Sequence, residues 1–320
     1  MTARGSIAAV AIGRNEGERL VRCLSSLQGQ VDRIVYVDSG STDGSVAEAK
    51  AIGALVVSLD TATRFTAARA RNAGFEALRD DELPEFVKFI DGDCEVQNGW
   101  LPTALEFLRS NPDVAVVCGR RRERFPEASR YNQMIDEEWA TPVGEASACG
   151  GDAVMRVTAF EEVGGFNPDL IAGEEPELCV RLRAAGWRIW RLDAEMTLHD
   201  AALMRFGQWW TRARRAGHAY AEGASLHGAP PERHNVAQTR RALVWGAAIP
   251  LFAVLGLLIT PWALLLLLAW PAQVIRLILR GEDAQSALFL TLGKLPEALG
   301  VFDYHLRRLF HRPSQVIEYK

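Results

Sequence analysis

Over roughly its first 120 residues the chain alternates short β-branched apolar runs with amphipathic stretches, and that alternation leaves few architectures open. Residues 7–12 read as a buried strand, and residues 18–27 as a helix with Leu20, Leu24 and Leu27 at helical spacing. Strands follow at 34–37, 54–59, 86–90 and 114–117, with helices expected over 65–78 and 99–109. Strands alternating with helices of this length predict an α/β domain with a mainly parallel, doubly wound sheet. Ligands on such sheets bind at the carboxyl ends of the strands. The loops opening at Gly13, Asp38 and Asp91 are therefore the places to look. Beyond Arg120 the pattern loosens into Gly-rich turns (CGGD, GGF), with a helix expected over 177–185 and a strand over 187–192.

The strand ends are acidic. FIDGDCEV closes a strand with Asp91-Gly92-Asp93. Carboxylates two residues apart point to the same side of an extended chain, and Gly between them permits a sharp turn. Two such charges repel unless a cation lies between them, and a hard divalent ion with oxygen ligands suits the spacing and can bridge to a diphosphate. Asp38 ends the second strand in VYVDSGSTDGS, where a carboxylate can accept hydrogen bonds from a base N–H or a ribose hydroxyl, or simply order its loop. Asn15 and Glu16, after the first strand, either reach a ribose or open the next helix at its electropositive end. The chain lacks GxGxxG and GxxxxGK[ST], which argues against dinucleotide binding and ATP hydrolysis.

The C-terminal part differs in kind. From 242 to 279 the only charge is Arg276, and Pro250, Pro261 and Pro271 interrupt the run. One helix of that length would be about 57 Å long against a bilayer core of about 30 Å, whereas two helices turning near Thr260–Pro261 would each span about 28 Å. Arg240, Arg241, Arg276 and Arg280 flank the run, as expected of a hairpin with both ends in the cytosol. A shallow re-entrant hairpin or a buried helical pair is the alternative. The basic, aromatic stretch 302–312 suits an anionic membrane surface or an ordinary amphipathic helix. The net charge of −4 divides into −7 over residues 1–240 and +3 over 241–320, which excludes a dedicated nucleic-acid binder. Five scattered cysteines without a CxxC pair argue against zinc and fit a reducing compartment. The N-terminus shows no signal-peptide pattern, so the catalytic part is expected to face the cytosol at the cytoplasmic membrane.

Taken together, AIGRNEGERLVRCLSSL, VDSGSTDGS, AARARNAGFEAL, the Asp91/Asp93 pair, ACGGDAVMR, VGGFNP and GEEPELCVRLRAAGW resemble, in order and over residues 5–215, the family 2 inverting glycosyltransferases of GT-A fold. The resemblance implies a Rossmann-like, nucleotide-diphospho-sugar transferase domain over 1–235. A hydrophobic hairpin over 236–280 and a basic amphipathic segment over 281–320 complete the expected layout. It implies a nucleotide-diphosphate sugar donor (a UDP-sugar above all) and Mn²⁺ or Mg²⁺. Glu16 and Asp38 would meet the nucleoside, with Asn15, Arg71 and Asn72 nearby. Asp93 would hold the metal, Asp91 would touch metal or ribose, and His199 would complete the metal site with Asp200 on its other nitrogen. The family's Glu-Asp pair stands here as Glu174-Glu175, so Glu175 is the expected general base and Glu174 the second choice. Gly151 and Asp152 would line the acceptor side.

Trp209 and Trp210 could stack on an acceptor sugar, and the neighbouring arginines could meet phosphate or lipid head groups. Gln208-Trp209-Trp210-Thr211-Arg212 departs from the QxxRW of processive synthases, so processive synthesis is not inferred. The expected activity is transfer of one hexosyl-type sugar to a lipid-linked saccharide or glycolipid in cell-surface polysaccharide biosynthesis. Transfer to bare polyprenyl phosphate, or a non-catalytic nucleotide-sugar-binding membrane scaffold, are the alternatives.

Overall fold

A computed structural model describes residues 6–60 and 62–312, in two compact units. Of the described residues, those up to 170 and 174–204 make the first, and 171–173 and those from 205 on make the second. The division falls at 204/205, not at 235, because the helix Phe206–His227 packs with the C-terminal helices.

In chain order the first unit contains β1 (Ile7–Gly13), α1 (Glu18–Leu27), β2 (Arg33–Asp38), α2 (Ser45–Ile52), β3 (Leu55–Ser58) and α3 (Ala67–Glu76). It continues with β4 (Phe86–Asp91), β5 (Cys94–Val96), α4 (Trp100–Ser110), β6 (Val114–Glu123), α5 (Arg130–Glu138) and β7 (Gly144–Ala146). β8 (Val154–Arg156), α6 (Val157–Glu162), α7 (Glu174–Ala184) and β9 (Arg188–His199) complete it. The strands form one sheet in the order β3-β2-β1-β4-β8-β6-β9-β5, with β7 pairing β9. β1 is buried on both faces, as its unbroken run IAAVAI requires of a central parallel strand. α1 buries Leu20, Cys23, Leu24 and Leu27 at the i, i+3, i+4, i+7 spacing of one helical face. Thr66 caps α3, its hydroxyl accepting from the Arg69 N–H at 3.1 Å. Gly74 lets α3 sit directly on the sheet, since a Cβ there would overlap Val10 and Val37.

The expected parallel sheet holds only for β3-β2-β1-β4. Beyond β4, β8 runs antiparallel to both neighbours, and β5 and β7 run antiparallel to β9, while β6 and β9 are parallel. β6 and β9 also run well past their expected ends, to Glu123 and His199. Register shifts on either side of Arg120 accommodate the extension, and Gly119 lies where a Cβ would strike Ala194 and Trp100.

The second unit is helical: α8 (Phe206–His227), α9 (Val236–Leu243), α10 (Ile249–Gly256), α11 (Ala269–Ile278), α12 (Ala284–Leu292) and α13 (Lys294–Leu309). α8 and α13 cross at glycines. A Cβ on Gly217 would collide with the Glu297 backbone, and one on Gly300 with the Arg214 carbonyl. The expected turn at Thr260 is present, the Thr260 hydroxyl accepting from the Trp262 N–H, and a 3₁₀ segment, Pro261–Leu268, runs on into α11. The leg before the turn passes through a π-turn, Val244–Ala248, just ahead of Pro250, which cannot donate to the helical ladder. Among the described residues one helical stretch, Pro261–Ile278, is long and apolar enough to cross a membrane, and none of it is buried. As far as it is described, the 281–320 region forms α12 and α13, and Val301 and Tyr304 of α13 pack with Ala221 and Ala242. Residues 313–320 lie outside the described part.

Candidate active site

The parallel half of the sheet assembles an acidic rim. β2 and β4 flank β1 in a register that sets Asp38 beside Gly13 and Asp91 beside Ile12, at the carboxyl ends of all three strands. Asp38 is buried and orders its own loop, accepting from the N–H groups of Gly40 (3.1 Å) and Ser41 (3.0 Å) and from the Tyr36 hydroxyl (3.2 Å). Asn15 ties the first loop to the second: its Oδ1 accepts from the Thr42 N–H at 2.7 Å, and its N–H donates to the Ser41 hydroxyl at 2.9 Å. Asn15 takes the left-handed conformation (φ 55°) to do this. Glu16 pairs with Arg19 at 2.8 Å.

Arg71 and Asn72 are each held by partners within the protein. Arg71, on α3, is buried and joins three carboxylates. Nη2 meets Asp91 Oδ1 at 2.8 Å, and Nη1 meets Glu174 Oε1 at 2.8 Å and Glu175 Oε1 at 3.0 Å. Burial pulls the guanidinium's pKa down, but Glu175, Asp91 and Glu174 together outweigh it and hold the group charged. Asn72 is structural: its amide donates to the Phe166 carbonyl at 2.7 Å and accepts from the Phe166 N–H at 3.0 Å, closing the GGF turn.

Glu174 and Glu175 open α7. Burial, then the adjacent Glu174 charge, pushes the Glu175 carboxyl up to about 7; Arg71 opposes and Asp91 adds to the shift. Gly151 closes over this cluster, since a Cβ there would collide with the Arg71 guanidinium and come within 2.8 Å of Glu175 Oε1. A carboxylate poised near neutrality, at a rim otherwise packed with charge partners, can accept a proton from a hydroxyl.

Asp152 is fully enclosed rather than facing an acceptor. It pairs with Arg121, accepts from the Thr197 hydroxyl, and its carbonyl accepts from Lys88 Nζ at 2.8 Å. Burial alone would raise its pKa; Arg121 and Lys88 outweigh that and hold it below the usual carboxylate range. Trp209 is likewise buried, its ring against Phe289 at 5.0 Å between centroids, while Trp210 keeps partial exposure. Both tryptophans belong to the helical unit.

A second cluster forms where β5 pairs with β9. Cys94 lies opposite His199, and Asp93 precedes it. Ligand-type atoms of Asp93, Cys94 and His199 all lie within 4.8 Å of one another; Asp91 is not part of this group. Asp93 Oδ1 and His199 Nε2 are 3.5 Å apart. Two ligands each about 2.1 Å from a small divalent cation stand roughly 3.0 Å apart at octahedral and 3.4 Å apart at tetrahedral angles, so this pair is within a few tenths of an ångström of holding such an ion. Burial, then Asp152 and Asp93, pushes the Cys94 thiol far up. The other nitrogen of His199, Nδ1, faces Glu123 at 3.6 Å; Asp200 pairs instead with Arg22 at 3.8 Å. Trp139 packs edge-on against the His199 ring at 4.8 Å. Sequence reasoning passed over Glu123 and Trp139, which lie in segments without helical or strand periodicity of their own.

A sheet of this order, with acidic strand ends gathered at one rim, is the GT-A-like fold of nucleotide-diphospho-sugar transferases. It matches the mannosyltransferase PcManGT of Pyrobaculum calidifontis, solved with GDP-Man and Mn²⁺, with a TM-score of 0.59 at 19% identity over 97% of this chain and 88% of that one. The Mycobacterium tuberculosis glucosyl-3-phosphoglycerate synthase, solved with Mn²⁺, UDP and glucosyl-3-phosphoglycerate, matches with a TM-score of 0.51 at 21% identity over 71% and 82%. The family model described as glycosyl transferase family 2 matches residues 10–164, and the chain carries a domain of that family. The Mycobacterium tuberculosis pre-mycofactocin glycosyltransferase is 31% identical over 200 residues, 58% of this chain and 41% of that one. The succinoglycan biosynthesis protein ExoA of Rhizobium meliloti is 27% identical over 170 residues, 50% and 52% respectively. The chain thus spans about half or less of these curated relatives.

Proposed function

We propose that the protein is an inverting, metal-dependent glycosyltransferase that moves one hexosyl-type sugar from a nucleotide-diphosphate donor to a lipid-linked saccharide or glycolipid. The observation that carries this reading is Arg71, which holds Asp91, Glu174 and Glu175 in one cluster and leaves Glu175 with a carboxyl near pH 7. Glu175 takes the proton of the acceptor hydroxyl, opposite the departing nucleotide; Arg71 fixes its position, and the missing side chain of Gly151 leaves the pair its room. Asp38, Asn15 and Glu16 border the nucleoside side of the rim. Asp93 and His199, with Asp91 beside them, would hold Mn²⁺ or Mg²⁺, an imidazole ligand favouring Mn²⁺. Bound there, the ion supplies charge neutralisation to the diphosphate leaving group.

The Mn²⁺ and the nucleotides bound in the two structurally similar transferases support the donor and metal assignments. The uncovered apolar stretch Pro261–Ile278 supports membrane association and, with it, an acceptor that stays in the bilayer. ExoA's role in succinoglycan biosynthesis supports a place in polysaccharide assembly. The test is a panel of UDP- and GDP-sugars offered to detergent-solubilised protein with lipid acceptors, with and without Mn²⁺. The proposal expects one donor to be consumed in a metal-dependent manner, with the product anomer inverted. A retained anomer, or no donor turnover under any condition, would contradict it.

A further inference from the structure

We propose that Glu123 is a positioning residue that sets the tautomer and ring orientation of His199, and so tunes the metal affinity of the Asp93–His199 pair. The inference rests on the metal reading above.

β6 and β9 pair in parallel with Glu123 directly beside His199. The Glu123 side chain is wholly buried. Its Oε1 accepts from the Phe125 N–H at 3.2 Å and from the Asn132 amide at 3.3 Å, and its Oε2 accepts from the Ala201 N–H at 3.0 Å. These neutral donors come from three separate segments, so the carboxylate cannot swing. Among the described residues its sole ion-pairing neighbour is His199, whose Nδ1 lies 3.6 Å from Oε2. That Nδ1 is itself buried and makes no hydrogen bond. An imidazole nitrogen and a carboxylate oxygen, both buried and a few tenths of an ångström beyond hydrogen-bond range, complete each other with a small ring tilt.

The direction of that bond decides the chemistry. A proton on Nδ1 directed at Glu123 leaves the lone pair on Nε2, which faces Asp93 Oδ1 at 3.5 Å. The opposite tautomer would turn an N–H toward the metal position and deny the ion a ligand. Trp139, edge-on at 4.8 Å and 77° to the ring, limits rotation away from this pose. A carboxylate behind a ligating histidine fixes its tautomer and raises its basicity, and losing such a partner costs about 10- to 100-fold in metal affinity. A buried carboxylate without an arginine or lysine partner also places negative charge where a cation is to be held.

The test uses the full chain in detergent and three proteins: the native one, Glu123→Gln and Asn132→Ala. Asn132 shares the packing role, since its amide donates to Glu123 and the Phe125 carbonyl and its oxygen accepts from the Leu203 N–H, but it does not face His199. Mn²⁺ affinity is measured by the paramagnetic resonance of free Mn²⁺, and the His199 tautomer by nitrogen-15 NMR of metal-free protein at alkaline pH. Glu123→Gln is expected to lose about 10- to 100-fold in Mn²⁺ affinity and to lose the Nδ1–H tautomer. Asn132→Ala is expected to lower the melting temperature, keep the tautomer, and lose far less affinity than Glu123→Gln, since the Phe125 and Ala201 N–H groups still hold the carboxylate. Unchanged affinity and tautomer in Glu123→Gln, or an equal affinity loss in Asn132→Ala, overturns the proposal. Failure of the native protein to bind Mn²⁺ sinks the metal reading instead, and the tautomer measurement still decides what Glu123 does.

Discussion

Replacing Glu174 with Gln probes the base assignment through its electrostatics. Glu174 and Glu175 share one nitrogen of Arg71, at 2.8 and 3.0 Å, so the two carboxylate oxygens are at most about 5.8 Å apart, the sum of those distances. At an effective dielectric near 20, two unit charges that far apart repel by about 3 kcal/mol, equivalent to about two pH units in the acidity of either. The substitution removes that repulsion and frees Arg71 Nη1 to serve Glu175 alone; both effects favour the Glu175 carboxylate. Water reaching the rim screens part of this, leaving a shift of about one to two units. The assay is kcat/KM against pH, whose acid limb reports the free enzyme. A base must be deprotonated, so native activity should rise with pH through about 7. In Glu174→Gln the same limb should move to lower pH, with activity at alkaline pH largely kept. A limb that stays in place, or moves upward, would refute the assignment of Glu175 as base and of Glu174 as the charge that tunes it.

Gly151→Ala sets a methyl against Arg71 and Glu175 and should cut kcat/KM by about 10- to 100-fold with circular dichroism unchanged, about 1–3 kcal/mol of overpacking at the reacting group; native kinetics would show that Gly151 does not crowd the base. Asp152→Asn leaves Arg121 and Lys88 buried without their carboxylate, which should cost about 3–5 kcal/mol and lower Tm by on the order of 10 °C. Because the folded-state pKa of Asp152 is depressed, its contribution is full above the ordinary carboxylate range and is lost as pH falls, so the gap between native and variant Tm should narrow in acid. A selective rise in acceptor KM with native Tm would instead return Asp152 to the acceptor side. Gly217→Leu or Gly300→Leu forces a side chain into the facing helix backbone and should destabilise the helical unit in detergent, read as early proteolysis within residues 205–312; unaltered protease resistance would show that the two helices do not cross that closely.

What could be read from sequence was local. α1 has the expected bounds, because its four buried positions repeat at helical spacing, and the acidic strand ends stand on one rim, because parallel strands share a direction. Long-range pairing was not legible. β7 and β8 are three residues each and carry no periodicity, and the extension of β6 through RRRE reads as a charged surface run until β9 lies alongside it. The bridging role of Arg71 depends on α7, more than 100 residues later in the chain, which no local pattern reveals. Pairing Glu123 with His199 depends on a register offset by a bulge, which local pattern does not encode.

Asp93 and His199 are proposed to bind a divalent ion that in turn binds the donor's diphosphate. Calorimetric titration of UDP and GDP into the full chain, with Mn²⁺ and with chelator, and again with Asp93→Ala, measures this. Binding of one nucleotide that needs Mn²⁺ and vanishes in a folded Asp93→Ala protein is the predicted result. Nucleotide binding of equal strength in chelator, or in Asp93→Ala with Mn²⁺ present, would contradict it.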